Sequence, residues 1–284
     1  MTRLLEYARL MRLDRPIGFW LLLWPALWAL WISADGQPRE RVFAIFVVGT
    51  FLMRAAGCVI NDYADRRIDP NVRRTAGRPL ARGAVSPAEA LVLFVVLAGG
   101  ALLLIVPLAP LTRLYALAGG ALAVIYPFLK RFFPLPQAWL GAAFSWSVPM
   151  AFAEQTGGTP APGWLLFAAA VLWTVVYDTM YAMVDREDDL AIGVRSSAIL
   201  FGRADRVLIA TLQLGSLLLL AIVGQSSGLG RWYWLGLGMA AALAGWQQWL
   251  IRNREPAACL RAFLNNNYFG MAVFAGIALG YLFR

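Results

Sequence analysis

The chain has 284 residues, of which 60% are hydrophobic and only 14% are charged. Charged residues usually make up about a quarter of a soluble domain, so this composition predicts a protein that crosses a membrane several times. The sequence has no histidine, which excludes imidazole general bases, Ser-His-Asp triads and the usual zinc and haem sites.

Long apolar stretches predict the helices. A membrane-spanning helix needs about 20 apolar residues, and nine stretches of the chain approach that length. We therefore predict an all-α, polytopic membrane protein with nine transmembrane helices. The predicted spans are 16–33, 42–62, 88–107, 111–128, 138–154, 163–184, 207–224, 231–251 and 265–283. Asn265, Asn266 and Asn267 would begin the ninth span, where helix capping is their expected role.

The positive charges of the loops predict the orientation. Nineteen of the 25 Lys and Arg residues fall in the N-terminal segment or in alternate loops, and five fall on the opposite side. Because cytoplasmic loops carry the excess of Lys and Arg, we expect a cytoplasmic N-terminus and a periplasmic C-terminus. This bias explains most of the net charge of +9 without nucleic acid. No cleavable targeting segment is expected, and a bacterial inner membrane fits best.

The first acidic motif, residues 61–69, follows the second span. Its sequence is NDYADRRID. Ionisable groups at the edge of a bilayer are costly, so they indicate a functional site. If the motif is helical, Asn61, Asp65 and Asp69 recur every four residues and share one face. Asp62 would then lie on the border of that face.

The second acidic motif, residues 178–189, closes the sixth span. It repeats the Asp-Arg-x-x-Asp pattern of the first motif 120 residues later. On a helix, Asp178, Asp185 and Asp189 share one face. Because both motifs end a span and enter a cytoplasmic loop, we expect pseudo-repeated halves whose motifs face each other across a helical bundle.

Two facing carboxylate clusters with arginines beside them suit a diphosphate. Carboxylates can bind Mg²⁺ ions that bridge to the diphosphate, and Mg²⁺ is the expected metal because two cysteines and no histidine leave oxygen as the ligand. A neutralised diphosphate is a good leaving group, and an apolar bundle would protect the carbocation that it leaves. The basic residues expected to contact phosphate are Arg66, Arg73, Arg74 and Arg195.

A different class of protein would also explain the repeat. Transporters built from duplicated halves bind coupling ions where their repeats meet. Such a protein would exchange or take up its substrate without any chemical change in a bound lipid. Each cluster taken alone could also be a salt-bridged loop that ends a helix, although intramembrane acids usually mark function.

Motifs are spread over nearly the whole chain. They are 14–30 (DRPIGFWLLLWPALWAL), 61–69, 74–86 (RTAGRPLARGAVS), 126–130 (YPFLK), 177–189 (YDTMYAMVDREDD) and 263–270 (FLNNNYFG). These motifs resemble those of the UbiA superfamily of intramembrane prenyltransferases. The resemblance implies nine helices around a central cavity, capped by cytoplasmic loops. It also implies Mg²⁺ as the cofactor and an allylic polyprenyl diphosphate as a substrate.

The resemblance implies roles for individual residues. The metal and diphosphate ligands are expected at Asn61, Asp65, Asp69, Asp185 and Asp189, and the four aspartates among them are the expected catalytic acids. Asp62 and Asp69 could each be an extra ligand or lie directly behind the other ligands. Tyr126 and Lys130 match a YxxxK element of the family and are expected to contact the diphosphate. Lys130 could instead extend its charge to the membrane surface.

Two ionisable residues inside the spans are candidates for contact with an aromatic substrate. Arg54 lies about two helical turns before Asn61, and it could bind a benzoate carboxylate or act as counter-ion to an aspartate. Asp178 adjoins Tyr177, and it could orient or deprotonate a phenol hydroxyl or serve as a structural hydrogen-bond partner.

The sequence thus predicts one intramembrane prenyltransferase domain over residues 1–284. Stretch 14–30 resembles the branch of the family that acts on 4-hydroxybenzoate. The expected reaction transfers a polyprenyl group to the ring carbon meta to the carboxylate, a step of ubiquinone biosynthesis. Other family members would share the site but use dihydroxynaphthoate, homogentisate or haem as acceptor. The expected partners are both substrates and membrane lipid, without nucleic acid or an obligate protein partner.

Overall fold

Helices form the regular structure of the described chain. The computed structural model describes residues 2–71, 75–129 and 133–284. These ranges contain helices and turns but no strands, so the all-α prediction is confirmed. The helices are α1 (Arg3–Leu10), α2 (Ile17–Ser33), α3 (Glu40–Asp65), α4 (Pro87–Ile105), α5 (Pro110–Leu129), α6 (Pro136–Ser145), α7 (Ser147–Thr156), α8 (Ala161–Val184), α9 (Arg186–Ile192), α10 (Ser197–Phe201), α11 (Asp205–Ser226), α12 (Arg231–Leu250) and α13 (Pro256–Leu282). Short 3₁₀ helices occupy Asp69–Asn71, Gly202–Ala204 and Ile251–Asn253.

The long helices follow the predicted membrane spans. Five helical stretches in the described part of the chain are long and apolar enough to cross a membrane. They are Glu40–Asp65, Pro87–Ile105, Pro110–Leu129, Ala161–Val184 and Ser197–Ser226. Each predicted span overlaps at least one helix, since a helix satisfies its backbone polar groups internally. The chain is therefore a helical membrane protein, and the number of nine crossings stays a prediction.

The fifth predicted span consists of two helices rather than one. α6 ends at Ser145 and α7 begins at Ser147. Pro149 lacks the N–H that would bond the Ser145 carbonyl in a continuous helix, so the helix breaks one turn before this proline. Trp146, at the break, donates from Nε1 to the carbonyl of Tyr115 in α5 at 2.7 Å. The broken span is thereby joined to α5.

The last helix begins earlier than predicted. α13 starts at Pro256 rather than at residue 265. Proline is favoured at the first position of a helix, where its missing N–H removes no intrahelical bond. Asn265, Asn266 and Asn267 therefore lie inside the helix, and the capping role expected for them is wrong.

These three asparagines join α13 to three other helices. Successive residues of a helix point about 100° apart, so three neighbours can reach three different partners. In each pair the asparagine Oδ1 accepts a hydrogen bond, and the pairs are Asn265 with Gln247 of α12 (3.0 Å), Asn266 with Trp173 of α8 (2.9 Å) and Asn267 with Trp24 of α2 (3.0 Å). Satisfied polar groups in an apolar interior fix how helices pack against each other.

Buried aromatic rings form the centre of the main core. Trp28 of α2 and Trp173 of α8 have ring centroids 5.1 Å apart. Phe269 of α13 stacks on Trp173 at 5.7 Å, and Trp28 Nε1 donates to the Gly270 carbonyl at 3.1 Å. These contacts hold together three helices that also contribute to the cavity described below.

α1 is fixed to the rest of the molecule by an apolar and an ionic contact. Leu10 of α1 is fully buried in a cluster that includes Val59 of α3. Glu6, of which only 4% is exposed, pairs with Arg82 in the loop that precedes α4. The N-terminal segment is therefore held over the end of α3, where the first acidic motif lies.

Candidate active site

A cavity of about 1780 Å³ is lined by residues of α2 to α8 and of α13. Its wall carries ten of the residues that the sequence predicts for the site. They are Arg54, Asn61, Asp62, Asp65, Asp69, Tyr126, Asp178, Asp185, Asp189 and Arg195. Two acidic motifs that are 120 residues apart in the chain therefore share one cavity.

Four other predicted site residues are not placed on this wall. Lys130 and Arg74, together with Arg73, lie outside the described residues. Arg66 donates from Nη1 to the Tyr63 carbonyl at 2.6 Å, and its guanidinium lies 4.2 Å from the centroid of the Tyr63 ring. Among the described residues of the wall, its neighbour Arg67 is present and Arg66 is not.

The end of α3 brings Asn61 and Asp65 to the cavity. These residues lie one helical turn apart, and both are half-buried. α3 ends at Asp65, so Asp69 does not continue the helical face that the sequence predicts. Pro70 lacks the N–H that would bond the Arg66 carbonyl in a continuing α-helix, and Asp69 begins a 3₁₀ turn instead. Asp69 still lines the cavity, but from this turn.

Two arginines contact the carboxylates of Asp62 and Asp69. Asp62 is 1% exposed, and both of its oxygens accept hydrogen bonds from Arg12 Nη2 at 2.9 Å. Arg78 Nη1 lies 3.0 Å from Asp62 Oδ1 and donates to both oxygens of Asp69 at 3.1 and 2.9 Å. Burial raises the pKa of the Asp69 carboxyl, and the charge of Arg78 opposes this rise.

Sequence reasoning did not select Arg12 and Arg78 as site residues. Both line the cavity, but Arg12 is 50 residues from Asp62, so no local pattern joins them. Their only signal in the sequence is the basic character of the predicted cytoplasmic segments.

The second motif turns at Asp185, between α8 and α9. α8 ends at Val184, and the backbone N–H of Asp189 donates to the Asp185 carbonyl at 2.9 Å. Asp178 lies inside α8, two turns before the break. The expectation of one helical face for all three aspartates is therefore wrong, because the chain turns between them. All three nevertheless line the cavity.

The arginine of the second motif has a buried partner. Arg186 pairs with Asp205, which is fully buried at the start of α11. Asp205 also accepts from Arg254 at 3.0 Å from Nε and 2.8 Å from Nη2. Arg254 has a φ of 58°, a conformation that costs a non-glycine residue about 1–2 kcal/mol. This ion cluster ties α9 to α11 and to the turn before α13.

Tyr126 of α5 lies near acidic side chains of both motifs. Its hydroxyl lies within range of the charges of Asp178, Asp65 and Asp189. Charges interact strongly only over short distances, or where water is scarce. The tyrosine thus lines the same cavity as the carboxylates of both motifs.

Arg54 lies against α2. Its guanidinium packs on Gly18, where an added Cβ would clash with it, and its Nη1 donates to Cys58 Sγ. In the described ranges, no carboxylate lies within ion-pair distance of Arg54. This position favours contact with a ligand in the cavity over the counter-ion role.

Aromatic rings line the cavity beside the second motif. Tyr181 and Phe263 have ring centroids 4.8 Å apart, and Tyr177 lies 6.1 Å from Phe263. All three residues belong to the wall. Aromatic faces attract cations, so this part of the wall suits a positively charged, apolar group.

The donor atoms fit a hard cation that a substrate helps to hold. No group of three or more His, Cys, Asp or Glu side chains that could hold a metal is present in the part of the chain that the structure describes. Mg²⁺ commonly binds through one or two carboxylates, with water and substrate phosphates completing its shell. Two pairs of oxygen-bearing side chains line the cavity, Asn61 with Asp65 and Asp185 with Asp189, and they fit that requirement.

Comparison with known proteins identifies a family and close relatives. The model of the UbiA prenyltransferase family matches residues 22–274. A protein of Nitrosococcus oceani named 4-hydroxybenzoate octaprenyltransferase is 60% identical over 280 residues, which cover 99% of this chain and 98% of the relative. The protein of the same name from Aeromonas salmonicida is 57% identical and covers 98% of this chain and 96% of its own length.

Solved structures share the fold. A UbiA homologue from Aeropyrum pernix superposes with a TM-score of 0.80 at 24% identity, covering 92% of this chain and 97% of that one. A UbiA homologue from Archaeoglobus fulgidus, bound to GPP and Mg²⁺, gives a TM-score of 0.70 at 17% identity and covers 95% and 99%. At these identities the likeness concerns the fold alone.

Proposed function

The chain belongs to the UbiA prenyltransferase family, and we propose that it transfers a polyprenyl group from a polyprenyl diphosphate to 4-hydroxybenzoate. The bond forms at the ring carbon meta to the carboxylate, and the products are 3-polyprenyl-4-hydroxybenzoate and diphosphate. The name of its relatives at 54–60% identity over nearly the full chain supports this acceptor. We also propose a place in ubiquinone biosynthesis, which the resemblance of stretch 14–30 implies.

The observation that carries the proposal is that both acidic motifs line one cavity. Carboxylates alone would repel a diphosphate, so they need cations between them and the substrate. We propose that Asn61 and Asp65 on one side and Asp185 and Asp189 on the other hold Mg²⁺. The bound metal would supply Lewis-acid stabilisation of the leaving diphosphate.

Basic and phenolic groups complete the diphosphate site in this proposal. Arg195 and Tyr126 line the cavity and would contact the diphosphate oxygens. Lys130 and Arg74, outside the described residues, keep the same proposed role. Arg66 is a weaker candidate than Arg67, because the guanidinium of Arg66 stacks on the Tyr63 ring.

The reaction follows from this arrangement. The allylic C–O bond breaks, and its electron pair leaves with the diphosphate. The electron-rich ring carbon next to the phenol oxygen attacks the allylic cation and forms the C–C bond. Loss of the proton on that ring carbon restores aromaticity. The aromatic wall around Tyr181 and Phe263 stabilises the cation and excludes water, which would otherwise capture it.

The aromatic acid would bind near Arg54 and Asp178. A guanidinium binds a carboxylate through two parallel hydrogen bonds, and Arg54 is the basic residue of the cavity wall that lies deepest within a predicted span. Asp178 would orient the phenol hydroxyl or accept its proton, because a phenolate directs attack to the neighbouring carbon. Gly18 matters indirectly, since a side chain there would displace Arg54.

We also propose the orientation and extent of the enzyme. The excess of Lys and Arg on one side supports a cytoplasmic N-terminus, a periplasmic C-terminus and an active site that faces the cytoplasm of a bacterial inner membrane. Residues 1–284 would form one prenyltransferase domain that needs no protein partner or nucleic acid. The prenyl chain would lie in the apolar part of the cavity, in contact with membrane lipid.

The test is an assay of the purified protein in lipid with Mg²⁺, a polyprenyl diphosphate and one acceptor at a time. We expect prenylated 4-hydroxybenzoate and free diphosphate, both identified by mass spectrometry. A prenylated product formed only with dihydroxynaphthoate, homogentisate or haem would contradict 4-hydroxybenzoate as the acceptor. It would still support prenyl transfer as the reaction. Uptake of a substrate into vesicles without any product would contradict the enzyme.

A further inference from the structure

The first acidic motif contains two kinds of polar side chains, which differ in burial. Asn61 and Asp65 are half-buried on the cavity side of α3. Asp62 and Asp69 are 1% and 4% exposed, and both lie against arginine side chains. Isolated buried carboxylates are very costly, so each of these acids must be paired. The partners of Asp62 and Asp69 therefore decide whether these acids bind a metal or hold arginines.

The arginines that pair with them come from two other segments. Arg12 follows α1 and reaches Asp62 with Nη2, 2.9 Å from both oxygens. Arg78 lies in the loop before α4 and places Nη1 between Asp62 and Asp69. Both side chains remain about one-sixth exposed, at 17% and 16%, and both line the cavity. The two acids thus hold the guanidinium groups of Arg12 and Arg78 at the cavity wall.

The backbone of Arg12 is strained in a way that supports this role. Its φ is 60°, in the left-handed region that non-glycine residues avoid at a cost of about 1–2 kcal/mol. Its Nη1 donates back to the Arg9 carbonyl at 3.0 Å, which fixes the direction of the side chain. Strain of this kind persists where the surroundings hold it, commonly at functional sites.

The arginines keep donors for a further ligand. Within the described ranges, Arg78 uses only Nη1 for its ion pair with Asp62 and its hydrogen bonds to Asp69. A guanidinium has five N–H donors in a planar fork that matches phosphate oxygens. Nε and Nη2 of Arg78 can therefore bind an anion in the cavity while Nη1 stays with the acids.

From this geometry we infer that Asp62 is a positioning residue that holds Arg12 and Arg78 for the diphosphate of the substrate. Asp69 supports Arg78 in the same way, and neither acid is a metal ligand. The motif is thereby divided into Asn61 and Asp65, which face the metal, and Asp62 and Asp69, which face the arginines. This inference rests on the proposed function only in naming a diphosphate as the anion.

The test compares Asp62→Asn with the wild-type protein in the full chain. Binding of inorganic diphosphate is measured by calorimetry with and without Mg²⁺, and KM for the polyprenyl diphosphate and the half-saturating Mg²⁺ concentration are measured by assay. We expect binding to weaken about tenfold, the cost of one lost charge-assisted contact, both with and without Mg²⁺. KM should rise by a similar factor, while the Mg²⁺ requirement stays unchanged.

A matched control separates positioning from packing. Arg82→Gln breaks the ion pair with Glu6, which joins α1 to the same loop without a contact to the cavity. We expect this variant to bind diphosphate like the wild type. An equal loss in Arg82→Gln and Asp62→Asn would overturn the inference, since both would then act by loosening α1.

A double-mutant cycle distinguishes action of Asp62 through the arginines from direct binding of the metal. If Asp62 acts through the arginines, Asp62→Asn should have no further effect on diphosphate binding in an Arg12→Gln/Arg78→Gln protein. An additional loss there, or a higher Mg²⁺ requirement in Asp62→Asn alone, would show direct ligation and overturn the inference. Weakened diphosphate binding without any prenylation of 4-hydroxybenzoate by the wild type would contradict the proposed function and leave this inference standing.

Discussion

The two acidic motifs share an Asp-Arg-x-x-Asp pattern but differ in where their charges are paired. In the first motif, Asp62 and Asp69 pair with arginines that line the cavity. In the second, Asp185 and Asp189 line the cavity, while Arg186 pairs with Asp205. Asp205 and Arg254, which complete that cluster, do not belong to the cavity wall among the described residues.

This difference assigns different tasks to the two clusters of ions. Arginines on the cavity wall can contact a substrate, so the first cluster affects binding directly. The second cluster is a buried structural tie among α9, α11 and the turn before α13, and it can act on the site only by holding α9 in place. A repeat in sequence therefore does not make the two motifs equivalent.

The largest effect is expected where the two motifs are alike. Asp65→Asn and Asp185→Asn should each lower kcat by about 100-fold or more, the usual cost of losing an electrostatic contact to the transition state. The measurement is product formation at saturating substrate. Asp188→Asn is the control, because Asp188 belongs to the second motif but not to the described cavity wall, and it should keep most of the activity.

The second-largest effect is expected on stability. Asp205→Asn leaves Arg186 and Arg254 without their buried partner, and breaking a buried ion pair costs about 3–5 kcal/mol. Thermal unfolding in detergent should show a large drop in Tm. An unchanged Tm would contradict the structural role of this cluster. Normal KM for the diphosphate in the surviving folded protein would agree with it.

A smaller effect is expected for the arginines that pair with acids in the two ion clusters, and it differs between Arg78 and Arg186. Arg78→Gln should raise KM for the polyprenyl diphosphate about tenfold, because a charge-assisted contact to phosphate is lost. Arg186→Gln should lower Tm and leave this KM within about twofold of the wild type, since Arg186 pairs with Asp205 instead. The reverse result would mean that the second motif, and not the first, presents its arginine to the substrate.

The smallest effect is expected at Arg66. Its guanidinium is engaged with Tyr63, so Arg66→Gln should change kcat/KM by less than about twofold, as surface substitutions usually do. Arg67→Gln, on the cavity wall, is the matched comparison and should have the larger effect. A strong loss in Arg66→Gln alone would restore the role that the sequence predicts for it.

Much of the fold could be predicted because it depends on local composition. Apolar runs predict the long helices to within a few residues, as for α8, where prediction and structure both end at 184. The start of α13 was missed because the stretch from Pro256 contains Arg261 and falls below the apolar threshold of a span. The break at Trp146 was missed because Pro149 can be tolerated in a continuous membrane helix.

The site was predictable as a set of residues but not as an arrangement. The repeated acids pointed to one cavity, since charged residues next to apolar spans need a reason. Which acids pair with arginines depends on Arg12, 50 residues before Asp62, and on Arg78 in a loop. No periodicity relates such distant residues. The same holds for Tyr126, which meets both motifs only in the folded bundle.

The central claim is that both motifs bind one diphosphate together with Mg²⁺. The most direct measurement is Mg²⁺-dependent binding of inorganic diphosphate to Asp65→Asn, Asp185→Asn and the double variant. For a shared site, each single change should remove most of the binding, and the double change should add little more, because the motifs act as one unit. Fully additive losses, or unchanged binding in either single variant, would contradict a common site.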